Sequence, residues 1–265
     1  MEHDVSLWSA KNIMTACIDA GHDVVLIYVK KDGTWHHSQE YEHIFLSSSS
    51  TELTKNILET ISSPVSAVPG SGLVSFGRAL PIDIIFPIIH GTTGEDGILQ
   101  GFLETVGILY VGCGVTASAI GMDKAITKVL VEQKGVPVAK YLVAMKKDCP
   151  KFSDAEIALG VPLFVKPATL GSSVGVTKVH NEKEYIDAMN VAFSFDRKVL
   201  IEEAIVGREV ECGILEDDEL LASGVGEVAT THEFYSYEAK YLDENGVTIT
   251  LPADIPTHAK EEIRR

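Results

Sequence analysis

The sequence lacks an excess of basic charge, a long apolar run and a recognisable leader. Its 265 residues carry 22 Lys and Arg against 38 Asp and Glu, a formal net charge of -16. Nucleic acids and anionic membranes bind clustered Lys and Arg, so this balance disfavours both as partners. No apolar run approaches the roughly 18 residues of a membrane span, and the first residues lack the basic and apolar regions of a signal peptide. These absences predict a soluble, cytoplasmic protein.

The four cysteines are also not arranged for a structural role. Cys17, Cys113, Cys149 and Cys212 are far apart and form no Cys-x-x-Cys pair. A zinc site or a disulfide framework is therefore disfavoured, and free thiols in a reducing compartment are predicted. The negative net charge does not exclude an anionic small ligand, because a few lysines in a cleft can set a local field of the opposite sign.

The first part of the chain has the rhythm of a doubly wound α/β domain. Apolar spacing predicts a helix over 4–20, and apolar runs predict strands over 24–29 and 82–89. A hairpin partner is predicted over 35–45, followed by a polar loop at 47–51. Such a domain normally begins with a strand, yet this sequence begins at the helix, so we expect the sheet to lack its first strand.

The second part alternates short strands with helices. Asn181 is a predicted N-cap, because Glu184 follows at the spacing of a capping box. The remaining predicted elements are helices over 118–135, 153–159 and 181–193, strands over 138–145, 162–165, 174–179 and 199–201, and a strand pair over 209–215 and 220–228.

Two glycine-rich segments carry the chemistry. The loop 166–176, Lys-Pro-Ala-Thr-Leu-Gly-Ser-Ser-Val-Gly-Val, lies between two strands, so its backbone N–H groups can surround an anion while Lys166 supplies a point charge for phosphate. We predict a nucleoside triphosphate under this loop. His90 ends an apolar strand and opens a glycine-rich turn, which is where open α/β sheets place ligands. The alternative for His90 is a surface residue of a capped loop.

Several ordered blocks resemble one family. They read HGTTGEDGILQGFLE, YVGCGVTASAIGMDKAITK, FVKPATLGSSVGVTKV, VLIEEAIVGREVEC and EFYSYEAKYLD. Together they resemble the D-alanine–D-alanine ligases, a branch of the ATP-grasp enzymes, and the resemblance covers essentially the whole chain. Relative to that family the sequence reads as truncated at both ends, because it starts after the first strand and stops before the final third.

The resemblance implies an ATP-grasp fold of mixed α/β and α+β class. It implies an N-terminal doubly wound α/β substrate domain over 1–123, a central lid domain over 124–212, and the start of an incomplete C-terminal domain over 213–265. It also implies ATP-dependent ligation of two D-alanines through an acyl phosphate, for peptidoglycan precursor synthesis. The alternatives are a D-alanine–D-lactate or D-alanine–D-serine ligase, or an inactive nucleotide-binding remnant.

Residue by residue, the resemblance assigns the substrate site. Glu2 matches the carboxylate that receives the ammonium group of the first D-alanine, and His90 matches the histidine beside that substrate. Ser172 matches a serine that links the substrate carboxylate to a tyrosine, here Tyr241. The implied partners are D-alanine, ATP and a second copy of the chain in a homodimer.

The resemblance likewise assigns the phosphate contacts. Lys124 and Lys166 match lysines on the ATP phosphates, and Lys240 matches a loop lysine that reaches the γ-phosphate. Ser173 is assigned to the nucleotide with the loop that contains it.

The remaining implied contacts surround the nucleoside. Glu202 and Glu209 match the contacts to the adenine amine and the ribose, and Ile205 contributes backbone beside the base. Carboxylates suit these amine and hydroxyl donors. The implied cofactors are ATP and Mg²⁺ or Mn²⁺. The family's metal ligands have no counterpart in this sequence, so no metal ligand is assigned.

Overall fold

The chain divides into two compact units, Met1–Thr127 and Lys128–Arg265. The computed structural model describes residues 2–230 and 246–265, so the predicted site residues Lys240 and Tyr241 lie outside the described residues. The predicted division into three domains stays a prediction. Within the described residues, no helix is both long enough and apolar enough to cross a membrane.

The first unit combines helices with short strands. Its helices are α1 (His3–Asp19), α2 (Tyr41–Ser47), α3 (Ser50–Glu59), α4 (Ile98–Val106), α5 (Val115–Met122) and the start of α6 (Lys124–Gln133). Its strands are β1 (Ile27–Val29), β2 (Trp35–His37), β3 (Ser63–Val68), β4 (Gly72–Ser75), β5 (Arg78–Ala79), β6 (Ile84–Ile85) and β7 (Leu109–Tyr110). Strands β1 to β5 pair in sequence order, each antiparallel to the next, and β6 pairs parallel to β7.

Several predictions for the first unit were wrong in extent. The predicted hairpin partner ends at His37, and the predicted polar loop is the junction of α2 and α3. Tyr41 and Phe45 are four residues apart and both buried, which is helical rather than strand spacing. The predicted strand over 82–89 contracts to β6, because Pro87 has no N–H to continue a ladder.

The core of the first unit lies where α1, α2 and α3 meet. All its members are buried, and those within one helix are four or seven residues apart. They are Leu7, Met14, Tyr41, Phe45, Leu53 and Ile57 of the helices and Tyr28 of β1. The helix predicted over 4–20 is confirmed as α1. This packing fixes the N-terminal turn of α1, which carries the first candidate site residue.

The helix predicted over 118–135 is two helices. Asp123 interrupts it, because its carboxylate accepts the backbone N–H groups of Ala125 at 3.1 Å and Ile126 at 3.2 Å and so caps α6. Asp123 is itself buried. Lys124 is consequently the first residue of α6.

The second unit is built around a four-stranded sheet. Its helices are the rest of α6, α7 (Phe152–Leu159), α8 (Glu182–Phe195) and α9 (Thr257–Ile263). Its strands are β8 (Tyr141–Met145), β9 (Leu163–Pro167), β10 (Thr177–Val179), β11 (Lys198–Glu203), β12 (Glu209–Glu211), β13 (Ile214–Glu216), β14 (Leu220–Ala222), β15 (Gly226–Thr230) and β16 (Val247–Thr250). They form an antiparallel sheet in the order β10-β9-β11-β8, a second in the order β12-β15-β16, and the pair β13-β14.

Local details of this unit follow the sequence closely. Asn181 caps α8 by accepting the Glu184 backbone N–H at 3.1 Å, as the capping-box spacing predicted. The predicted strand pair over 209–215 and 220–228 is real but interrupted. At Gly213 the backbone N–H donates to the Ser223 hydroxyl at 2.8 Å, and the ladder divides there into two sheets.

The four-stranded sheet has one covered face and one face that carries charge. Val165 and Ile201 point into a core formed with residues of α7 and α8, including Ala155, Tyr185 and Ala188. Side chains alternate between the faces of a strand, so the residues between these positions point the other way. That opposite face carries Lys166 on β9 and Glu202 on β11.

Candidate active site

In the first unit, His90 is tied to helix α1 through two serines. The His90 backbone N–H donates to the Ser6 hydroxyl oxygen at 3.0 Å, and that hydroxyl donates to the Glu2 carbonyl at 3.1 Å. The His90 ring Nε2 lies 2.9 Å from the Ser9 hydroxyl. The ring and backbone of His90 are therefore both held by the first turns of α1.

The other ring nitrogen of His90 faces a carboxylate. Nδ1 lies 3.6 Å from the Glu95 carboxylate, whose second oxygen accepts the Gly91 N–H at 2.7 Å. Interaction with Glu95 raises the pKa of His90, although burial acts in the opposite direction. The same interaction lowers the pKa of Glu95. The contact thus stabilises the protonated form of His90 and the ionised form of Glu95 relative to the isolated side chains.

Glu2 lies beside the same turn. Its carboxylate comes so close to Gly91 that a Cβ added there would lie 2.1 Å from Oε2, and Gly91 also has a φ of +80°. A side chain at position 91 would be strained and would displace Glu2. The charge of Glu2 also contributes to the raised pKa of His90. The structure therefore brings Glu2 and His90 together.

In the second unit, a buried carboxylate holds two lysines. The two oxygens of Glu202 pair with different cations, Oε1 with Lys128 and Oε2 with Lys166. The side chain of Glu202 is 9% exposed, against 14% for Lys128 and 20% for Lys166. The cluster carries one net positive charge in a largely desolvated place, which favours an anionic ligand.

The loop after β9 has an unusual backbone. Ser172 and Ser173 adopt φ values of +49° and +57°, a left-handed conformation that costs non-glycine residues of order 1 kcal/mol each. Two consecutive residues of this kind reorient the backbone N–H groups of a loop. Such strain is characteristic of ligand-binding loops.

Both ends of this loop are fixed. The Asp196 carboxylate accepts the backbone N–H of Thr169 at 2.8 Å and its hydroxyl at 2.7 Å, and also the Lys198 N–H at 3.1 Å. At the other end Gly175 has a φ of +70°, and a Cβ there would lie 2.9 Å from both Phe195 and Pro167. The loop is therefore a defined structure between two anchors.

Replacing Asp196 by alanine should loosen the loop and destabilise the second unit. We expect the free energy of unfolding to fall by about 1 to 2 kcal/mol. This is the lower part of the range for hydrogen bonds to a charged group, because Asp196 is partly exposed. Asp187→Ala on the exposed side of α8 is the matched control. Chemical denaturation measures both, and equal stability of the two variants would contradict the anchoring role.

The Asp196 effect should also depend on pH. Burial acts to raise the pKa of Asp196, but hydrogen bonds from Thr169 and the backbone of Lys198 outweigh it and the pKa is lowered. A carboxylate with a lowered pKa contributes stability above its unfolded value of about 4, and that contribution is lost as the pH falls through the folded value. The difference between wild type and Asp196→Ala should therefore shrink below about pH 4.

The other assigned residues that the structure describes each lie at a different element. Lys124 begins α6, exposed Ile205 follows β11, and exposed Glu209 begins β12. Next to Glu209, Arg208 binds the Glu227 carboxylate with contacts of 2.6 and 2.5 Å and the Asp254 carbonyl at 2.8 Å. That bidentate contact fixes the backbone at the start of β12.

Sequence reasoning missed several residues of these clusters, among them Lys128, Asp196 and Ser9. Lys128 follows Lys124 by four residues on the same helix, a spacing that places both on one face and was available as a signal. Asp196 follows α8 directly and precedes a strand, where carboxylates often accept backbone N–H groups. Ser9 carried no signal of its own, because only the fold brings it to His90.

A metal site is not part of either cluster. Among residues 2–230 and 246–265, no three His, Cys, Asp or Glu side chains are grouped so that they could hold a metal ion.

Comparison with known proteins identifies the family. The family described as D-ala D-ala ligase N-terminus matches residues 1–113, and the one described as D-ala D-ala ligase C-terminus matches residues 130–265. The chain is 42% identical to D-alanine–D-alanine ligase A of Escherichia coli K12, over 99% of this chain and 74% of that protein.

Solved structures of ligases are also similar to the chain. The D-alanine–D-alanine ligase of Coxiella burnetii matches with a TM-score of 0.84 and 30% identity, over 100% of this chain and 71% of that one. The VanG D-Ala:D-Ser ligase of Enterococcus faecalis matches with a TM-score of 0.83 and 32% identity, over 100% and 76%. The predicted ATP-grasp fold class is thereby confirmed, and the chain belongs to the D-alanine–D-alanine ligase family.

Proposed function

We propose that this chain takes part in the ATP-dependent joining of two D-alanine molecules to D-alanyl-D-alanine, a precursor of peptidoglycan. The observation that carries the proposal is the 42% identity to a D-alanine–D-alanine ligase over 99% of the chain. The two side-chain clusters supply the chemistry that such a reaction needs, an acceptor for an ammonium group and a cationic place for phosphate.

The substrate role falls to the cluster of the first unit. Glu2 offers a carboxylate to the ammonium group of the first D-alanine, and His90 lies beside this substrate. The Glu95 carboxylate and the Ser9 hydroxyl hold the ring in place. The family resemblance also assigns Ser172 and Tyr241 to the D-alanine substrate, and Tyr241 lies outside the described residues.

The nucleotide role falls to the cluster of the second unit, together with Lys124. Lys166 neutralises phosphate charge, and the backbone around Ser172 and Ser173 donates N–H groups to phosphate oxygens. Glu202 and Glu209 accept the donors of the adenine amine and the ribose. The backbone near Ile205 lies beside the base, and Lys240 reaches the γ-phosphate.

The reaction proceeds in two transfers. A carboxylate oxygen of the first D-alanine attacks the γ-phosphorus. The bond from this phosphorus to the bridging oxygen of the β-phosphate breaks, so that ADP is released and an acyl phosphate is formed. The deprotonated amine of the second D-alanine then attacks the acyl carbon, and the bond from that carbon to the phosphate oxygen breaks. Inorganic phosphate leaves and takes up the proton that the nitrogen loses as the amide forms. Lysines lower the charge repulsion in the first transfer, and exclusion of water protects the acyl phosphate before the second.

The wider setting is proposed on the same basis. A divalent cation, Mg²⁺ or Mn²⁺, would neutralise the β- and γ-phosphate charge, and no ligand for it is assigned here. We propose that the protein acts as a homodimer in the cytoplasm, as the family resemblance implies.

Product analysis tests the proposal. The full-length gene product is incubated with ATP and Mg²⁺ and with D-alanine alone, D-alanine plus D-lactate, or D-alanine plus D-serine. We expect phosphate release and D-alanyl-D-alanine with D-alanine alone, and that dipeptide as the main product in the mixtures. A mixed product in excess would assign the alternative specificity, and nucleotide binding without any product would favour an inactive nucleotide-binding protein.

A further inference from the structure

We propose that Lys128 is a positioning residue that remains on Glu202 when Lys166 moves to the phosphates of the nucleotide. The inference rests on the function proposed above, since it assumes that Lys166 and Glu202 bind ATP. It adds a residue that the resemblance did not assign. The reasons lie in how differently the two lysines are held.

Lys128 is fixed from several sides. Its ammonium group pairs with Glu202 Oε1, donates to the Ala139 carbonyl at 3.2 Å, and lies 5.2 Å from the centre of the Tyr141 ring. Cation–π contact and a carbonyl acceptor both stabilise a charged amine at a place that is largely closed to water. These contacts therefore hold the Lys128 ammonium group in place.

Lys166 contacts Glu202 from the neighbouring strand, β9. It lies on β9, opposite Leu200 of β11, and so on the same face as Glu202, two residues further along β11. The loop with Ser172 and Ser173 begins directly after this strand. A short movement of a flexible lysine side chain therefore exchanges a carboxylate partner for a phosphate at the loop.

The separate oxygens make this exchange possible. When Lys166 leaves, Glu202 Oε2 is released to accept a donor such as the adenine amine, and Oε1 stays paired with Lys128. Without Lys128, the same movement would leave a buried carboxylate without a counter-ion, which is strongly unfavourable. Lys128 therefore lowers the cost of making both Lys166 and Glu202 available to one nucleotide.

A double-mutant cycle tests this role. Binding of a non-hydrolysable ATP analogue to the full-length protein is measured by calorimetric titration for wild type, Lys128→Met, Glu202→Gln and the double variant. We expect Lys128→Met to weaken binding about tenfold in the wild-type background, the scale of one charge-assisted interaction, and less than about twofold in the Glu202→Gln background. Lys134→Met, an exposed lysine just beyond α6, should change nothing.

A merely structural role of Lys128 gives a different pattern. Loss of packing on Tyr141 would weaken binding equally in both backgrounds, and that result would overturn the proposal. If Lys128→Met fails to fold, recovery of folding in the double variant supports the counter-ion role, and failure of the double variant overturns it.

The outcome is separable from that of the proposed function. Titration needs no turnover, so a protein that binds the analogue but forms no dipeptide counts against ligation and leaves the Lys128 comparison intact. A wild-type protein that binds no nucleotide would overturn both.

Discussion

Replacing Lys166 by alanine is expected to weaken ATP binding by about 10- to 100-fold. This is the loss of affinity expected when a hydrogen bond between charged groups is removed. The change removes the cation at the mouth of the loop that carries Ser172 and Ser173. It also shifts the cluster from one net positive charge to neutral, which reduces the attraction for a triphosphate.

The same variant should fold normally. Glu202 keeps its pair with Lys128, so no buried charge is stranded. Lys183→Ala on the exposed side of α8 removes an equal charge elsewhere in the second unit and serves as the control. Titration with ATP measures both variants, and unchanged affinity in Lys166→Ala would show that the loop does not bind phosphate.

Replacing Gly94 by alanine should disrupt the turn that carries His90. A Cβ at this position would lie 1.9 Å from the Ile89 carbonyl oxygen and 2.7 Å from the Ile89 carbonyl carbon, so the backbone must separate. The turn would also lose the buried hydrogen bond from Gln100 Nε2 to the Gly94 carbonyl, which measures 2.9 Å. We expect a destabilisation of about 3 kcal/mol or more, the upper range for an overpacked site.

Hydrogen exchange is the suitable measurement for this variant, because the chain has two units and need not unfold in one step. Peptides over 89–103 should lose protection in Gly94→Ala, whereas peptides of β9 and β11 should not. The control is Gly121→Ala, at an exposed helical position with nothing within 4 Å of the added Cβ. That change should be neutral or stabilise by up to about 1 kcal/mol. Equal protection in the two variants would contradict the role of the Gly94 contact.

Much of the second unit was predictable, because its signals are local. The alternation of Leu163, Val165 and Pro167 with Lys166 gives both the strand and the charged face, and Asn181 with Glu184 gives the start of α8. The family blocks then assign Lys166 and Glu202 to one ligand, and the structure brings these two together.

The errors arose where tertiary packing overrides a local pattern. The segment with Tyr41 and Phe45 is too short for its period to be decided without the helix it packs against. The break at Asp123 depends on a cap that a continuous apolar spacing hides. Ser9 could not be assigned, since its role depends on His90, 81 residues away in the chain. For Lys128 the spacing from Lys124 was a usable signal, but its partner Glu202 lies 74 residues away and only the fold identifies it.

The most direct test of the acyl-phosphate account follows oxygen from substrate to product. D-Alanine with both carboxyl oxygens replaced by a heavy isotope is supplied with unlabelled ATP to the full-length protein, and the released phosphate is analysed by mass spectrometry. Because the acyl phosphate is cleaved at the acyl carbon, we predict one heavy oxygen in each phosphate released per dipeptide. Dipeptide formation with unlabelled phosphate, or with the label in AMP, would contradict the account.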